Sequence, residues 1–141
     1  MDPVVFSTKI VVRYQETDQM GVAHHSVYPI WFEQSRTEFI RAYGHPYCDL
    51  EAEGFYLPLI EMTCRFKGFS RYEDELTVNT RLSDVTKSRL SFMYEVINNG
   101  LAVASGATVH VYANRRLRPV NLLKYKPDLY REFRRLGGFE D

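Results

Sequence analysis

One carboxylate in this sequence stands where it could do chemistry. In the stretch Arg13-Tyr14-Gln15-Glu16-Thr17-Asp18-Gln19-Met20-Gly21-Val22-Ala23-His24-His25-Ser26-Val27-Tyr28, a polar loop carrying Asp18 runs straight into the start of a long helical pattern. The first N–H groups of a helix have no intrahelical partner and point outward with the positive end of the macrodipole, so they can hold a developing oxyanion. A carboxylate beside such an anion hole can activate water as a general base or attack as a nucleophile. Asp is also common in turns and caps, so spacing alone leaves Asp18 open to a purely structural role.

The neighbouring groups narrow the chemistry. His24 and His25 are adjacent, so their side chains project differently. With no HExxH spacing and no clustered thiolates to add ligands, no metal site is expected. Gly21 is expected where the loop turns toward the helix, since glycine reaches positive φ without side-chain cost. A G-x-S-x-G elbow is absent, and Ser105-Gly106 reads as close packing within a strand, so serine nucleophile chemistry is not expected. Glu33 and Glu38 read as surface charges or a structural ion pair. Cys48 and Cys64, the only cysteines, read as free structural thiols.

A frame must position that loop. Val4 to Tyr14 is β-rich and stops at the polar stretch from Gln15 to Gln19, which predicts a first strand followed by a loop. From Ser26 to about Tyr43, apolar residues recur at spacings near three and four, with Gly44 just beyond, and this predicts the one long helix. Pro29 is compatible with that helix only within its first turn, where its missing N–H has no partner to lose.

Residues Asp49 to Glu53 suggest one more helical turn. Four segments rich in β-branched and aromatic residues follow: Phe55 to Phe66, Glu75 to Val85, Arg89 to Ile97 and Ala102 to Tyr112. The Asn-Gly step in Asn98-Asn99-Gly100 favours a tight hairpin reversal. Lys126 to Leu136 reads as a short closing helix ending at Gly137-Gly138. The order predicts an α+β domain spanning 1–141, one long helix against a five-stranded antiparallel sheet.

Eighteen basic and eighteen acidic residues cancel, so overall charge offers no general attraction for nucleic acid or a membrane surface. No apolar run approaches the ~20 residues that span a bilayer, and no signal peptide is visible, so the expectation is a cytoplasmic protein.

The spacing of Tyr14, Thr17, Asp18, Gly21, Val22, His25 and Tyr28 resembles the Y-x-x-T-D-x-x-G-V-x-x-H-x-x-Y pattern of hotdog-fold thioesterases of the 4-hydroxybenzoyl-CoA thioesterase type. It resembles especially their YbgC-like branch, and the similarity continues through Glu33, Arg36, Thr37 and Glu38. The resemblance implies a hotdog fold and hydrolysis of an acyl-CoA thioester to a carboxylic acid and free CoA, without a cofactor. It implies that Asp18 is the catalytic aspartate and that the backbone N–H of His25 polarises the thioester carbonyl. Gly21, Val22 and Tyr28 would border the substrate. CoA phosphates would meet basic clusters at Lys87-Ser88-Arg89 and Arg115-Arg116-Leu117-Arg118, with Arg89 and Arg116 foremost. Proteins of this kind pair two sheets edge to edge, place their sites at the subunit interface, and often join dimers into tetramers.

Three other readings compete. A hotdog hydratase needs a D-x-N-P-x-H dyad, whereas here the histidines follow Asp18 by six and seven residues. A non-catalytic acyl-CoA-binding regulator would carry an added DNA-binding segment, and the first strand here begins within the first few residues. A scaffold partner in an envelope or lipid-synthesis assembly is suggested only by the branch resemblance, and the sequence offers no separate docking motif.

Overall fold

Alternating burial along the central strands dictates the architecture. In the computed structural model, which describes residues 2–139, Leu76, Val78, Thr80 and Leu82 turn inward while their neighbours turn outward, the period-two signature of a sheet with one covered face. The elements in chain order are β1 (Phe6–Val11), α1 (Tyr28–Ala42), α2 (Tyr47–Ala52), β2 (Leu59–Phe66), β3 (Glu75–Val85), β4 (Arg89–Asn98), β5 (Leu101–Val111), α3 (Leu122–Tyr125) and α4 (Pro127–Leu136). All neighbouring strands are antiparallel, in the order β1-β3-β4-β5-β2. Among the described residues no helix is long and apolar enough to cross a membrane.

The hairpin between β4 and β5 follows from its turn residues. Asn98 pairs with Leu101, and Asn99 and Gly100 between them have φ of 53° and 80°, the two positive values that a tight hairpin with the strands' own twist requires.

Helix α1 covers the sheet through Trp31, Phe32, Phe39 and Ile40, all nearly or wholly buried. Gly106 on β5 lets it come close. A Cβ there would stand 2.5 Å from the Phe32 ring and 2.7 Å from the Thr63 carbonyl. Gly106 is thus a packing device, as its place in a strand suggested.

Several boundaries differ from those read off the sequence. The long helix does not begin at Ser26: a single 3-10 turn, His25–Val27, precedes the α-helix at Tyr28, with Pro29 inside the first turn. The second strand begins at Leu59 rather than Phe55: the Leu57 N–H goes to the Tyr47 hydroxyl and Pro58 has no N–H, so only an isolated bridge at Tyr56 precedes the continuous ladder. The chain closes with two short helices rather than one. The Asn121 side chain accepts from the Lys124 N–H and starts α3 ahead of α4.

Candidate active site

The loop that carries Asp18 is held as a narrow hairpin. Asp18 N–H donates to the Val22 carbonyl at 2.9 Å, His24 N–H to the Glu16 carbonyl at 2.8 Å, and Gly21 N–H to the Asp18 carbonyl at 2.9 Å. Gly21 has a φ of 79°, so the turn needs its glycine as the sequence suggested. Asp18 Oδ1 accepts from the Met20 N–H at 2.9 Å, which fixes the carboxylate at the loop tip. Among the described residues, Oδ2 accepts from no donor. The tip is partly exposed, while Val22 and Tyr28 are buried behind it.

At the other side of the hairpin the two histidines part company. His24 Nδ1 accepts from the Ser26 N–H at 3.2 Å, with Ser26 Oγ 2.8 Å away, so its ring caps the 3-10 turn. His24 O takes the Val27 N–H. Among the described residues the His25 N–H has no acceptor, and this leaves an outward donor at the helix entrance. The two rings lie 4.1 Å apart, both exposed.

Beneath the loop lie residues that motif reasoning did not single out. Glu16 is a buried carboxylate, only 4% exposed. Its oxygens accept from the Arg13 N–H at 2.8 Å, the Trp31 Nε1–H at 3.1 Å and the Arg13 guanidinium at 3.3 Å. Ser70 is wholly buried, and its carbonyl takes the Ala23 N–H at 2.7 Å. Tyr28 packs edge-on against Phe66 and Trp31 and sets its hydroxyl 3.5 Å from Ser70 Oγ. Burial raises its phenol pKa. A glutamate inside the loop and a tryptophan fifteen residues later were the only hints of this base, and that spacing is not diagnostic.

Deeper under α1 runs a polar chain. Tyr94 OH lies 2.6 Å from Thr108 Oγ1, His110 Nε2 lies 2.9 Å from the same oxygen, and His110 Nδ1 lies 3.1 Å from the Leu57 carbonyl. A carbonyl only accepts, so Nδ1 carries the proton and Nε2 accepts from Thr108, which in turn accepts from Tyr94. Burial is the main cause that pushes His110 down to about 4 from an ordinary 6.5, and Arg36 nearby adds to it.

The basic residues stand elsewhere. Lys87, Ser88 and Arg89 form the β3–β4 turn, where Thr86 Oγ1 accepts from the Ser88 and Arg89 N–H groups. Arg116 sits in a turn after β5 that Asn114 Oδ1 braces through the Arg116 and Arg118 N–H groups. The Asp18 loop adjoins the start of β3, through Val12 N–H to Asp74 O and Ala23 N–H to Ser70 O. The Lys87 turn follows its end, and the eleven residues between extend about 34 Å. Within one chain the two are not brought together.

Glu33 forms an ion pair with Arg36 at 3.8 Å, and Glu38 accepts from Gln34 at 2.9 Å, the surface roles read for them. Among the described residues no three His, Cys, Asp or Glu side chains gather as a metal site.

Comparison with known proteins gives this geometry its context. Residues 12–132 match the family model of the thioesterase-like superfamily. The chain is 30% identical over 123 residues to the acyl-CoA thioesterase YbgC of Haemophilus influenzae, spanning 86% of this chain and 85% of that protein. It is 28% identical over 127 residues to the acyl-CoA thioester hydrolase YbgC of Escherichia coli, spanning 90% of each. Among solved structures it superposes on a DHNA-CoA thioesterase from Staphylococcus aureus with a TM-score of 0.90 at 29% identity, covering 95% of this chain and 91% of that one. The long helix, the five-stranded antiparallel sheet and the family match agree: the chain belongs to the thioesterase-like superfamily and is a hotdog-fold enzyme that hydrolyses thioesters.

Proposed function

We propose that the substrate is an acyl-CoA thioester, cleaved to a carboxylic acid and free CoA with Asp18 as the reacting carboxylate. The observation that carries this reading is the presence on one hairpin of a carboxylate with an uncommitted oxygen and, on the returning arm, the unaccepted His25 N–H. The names of the relatives supply the CoA. As general base, Asp18 takes a proton from water while the hydroxide attacks the carbonyl carbon. The oxyanion is held at the helix entrance, and the C–S bond breaks to release the thiolate, which regains a proton. As nucleophile, Asp18 forms an acyl anhydride with loss of the thiolate, and water then hydrolyses it. Gly21, Val22 and Tyr28 shape the wall behind the carbonyl.

The CoA phosphates would be held by Lys87, Ser88, Arg89 and Arg116, and in this reading they belong to a second copy of the chain. Strand β2 is a sheet edge whose Leu59, Ile60, Met62 and Phe66 are 46%, 49%, 43% and 51% exposed. An open apolar edge of this kind invites pairing with another strand. A twofold axis normal to the sheet at β2 reverses the partner's strands, so its Lys87–Arg89 turn lies at the same end of the continuous sheet as Asp18. The topology therefore favours a dimer with shared sites, and two such dimers can join as a tetramer.

The test is Asp18→Asn. It keeps volume and removes base and nucleophile, so kcat should fall at least ~100-fold on a panel of hexanoyl-, palmitoyl- and benzoyl-CoA assayed by thiol release. Near-normal turnover in a folded variant would remove Asp18 from the mechanism.

A further inference from the structure

We infer that Glu16 is a positioning residue that sets the distance between the Asp18 carboxylate and the His25 N–H by tying their loop to helix α1. The inference rests on the proposed role of Asp18. It starts from a buried charge: at 4% exposure, a carboxylate would be costly unless its lone pairs were used. Here they face three donors and no acceptor: the Arg13 N–H, the Arg13 guanidinium and the Trp31 indole N–H. The side chain thus joins the end of the first strand region to the second turn of α1. Its own carbonyl accepts from His24 N–H at 2.8 Å, one residue before His25, and Asp18 follows two residues later. One residue therefore fixes both sides of the hairpin and the helix into which it runs.

The donor count explains why the position needs an acid. In a glutamine the amide oxygen can keep the Arg13 N–H, but the NH₂ group would then oppose the indole N–H and the guanidinium, donor against donor. Relaxing that clash moves Trp31 or the loop, and misplacing reacting groups by about 1 Å can cost on the order of 100-fold in rate. The effect should fall on kcat, because the CoA-binding residues lie elsewhere.

The experiment compares Glu16→Gln, Trp31→Phe and the double variant with wild type and with Asp18→Asn, on the same three acyl-CoA substrates, well below each melting temperature. In Glu16→Gln, kcat should fall about 10- to 100-fold with KM nearly unchanged. Trp31 is the sole tryptophan, so its emission should shift even without turnover. Trp31→Phe, which should fold because the ring volume is mostly kept, loses the tether and should lower kcat several-fold. The double variant should lose less than the two single losses combined, because one of the two donors that oppose the glutamine amide is gone and only the Arg13 guanidinium remains. Wild-type kcat in folded Glu16→Gln or in Trp31→Phe, or a double variant that loses as much as the two single losses combined, overturns the inference. If Asp18→Asn is inactive while these are normal, only the positioning role fails. If Asp18→Asn is active, the site reading itself fails.

Discussion

Mild acid should destabilise this protein through one histidine. His110 is 1% exposed and donates from Nδ1 to the Leu57 carbonyl while Nε2 accepts from Thr108. Protonating Nε2 sets two hydrogens against each other and adds a cation near Arg36, which is why the folded-state value drops to about 4. A depressed histidine value means that the unfolded chain takes up its proton first. The stabilisation is complete above the unfolded value of 6.5 and is lost as pH falls toward 4. By pH 5 the unfolded state has gained roughly 1.5 pH units of proton binding that the folded state has not, about 2 kcal/mol.

His110→Gln removes the titration while keeping a side chain that can both donate and accept. Urea unfolding at pH 7.5 and pH 5 should show wild type losing about 2 kcal/mol more than the variant. Equal losses in the two proteins would refute the argument, and with it the direction of the Tyr94-Thr108-His110 chain.

Three further outcomes are expected. Arg89→Ala or Arg116→Ala should raise KM more than it lowers kcat, since contacts remote from the carbonyl hold substrate and transition state alike; unchanged KM in both places the phosphates elsewhere. Gly106→Ala forces a Cβ to 2.5 Å from Phe32 and 2.7 Å from a backbone oxygen, neither of which can yield cheaply. It should cost about 1–3 kcal/mol, read as a fall of several degrees in Tm by circular dichroism. Dilution that separates subunits, followed by light scattering, should abolish turnover with the oligomer, and a fully active monomer would sink the shared site.

Much of the fold was legible because local signals agreed with global ones. Glu75 to Val85 alternates as far as Leu82 and becomes a strand with those ends, broken only by a register shift between Leu82 and Asp84, and Asn99-Gly100 supplies the positive φ its turn needs. Where reading failed, tertiary packing overrode local pattern. Phe55 and Leu57 look like strand residues, but Phe55 packs against Tyr112 and the Leu57 N–H is taken by the Tyr47 hydroxyl instead of a neighbouring strand, and the four residues of α3 carry too little periodicity to be seen. Strand order was equally hidden: β2 and β3 follow each other in sequence yet lie at opposite sides of the sheet, with β4 and β5 between them.

The site divides along the same line. Asp18, Gly21 and the helix entrance are contiguous in sequence, so a motif can carry them. Glu16 is contiguous too, yet its meaning depends on Trp31, fifteen residues on, and on three donors that only folding assembles. The basic turn is the sharpest case. Lys87-Ser88-Arg89 looks like a natural partner for a charged substrate, but an antiparallel strand of eleven residues carries it away from Asp18 by its whole length. For one CoA molecule to reach from the loop to that turn, the strand direction must be reversed by something outside the chain. A twofold axis at an exposed edge does this with no new contact chemistry, and β2 is an edge strand with large apolar side chains standing free. The exposed strand and the separated charges are then one requirement seen twice. A substitution such as Met62→Lys on that exposed edge should therefore lower turnover by parting them while leaving each subunit folded.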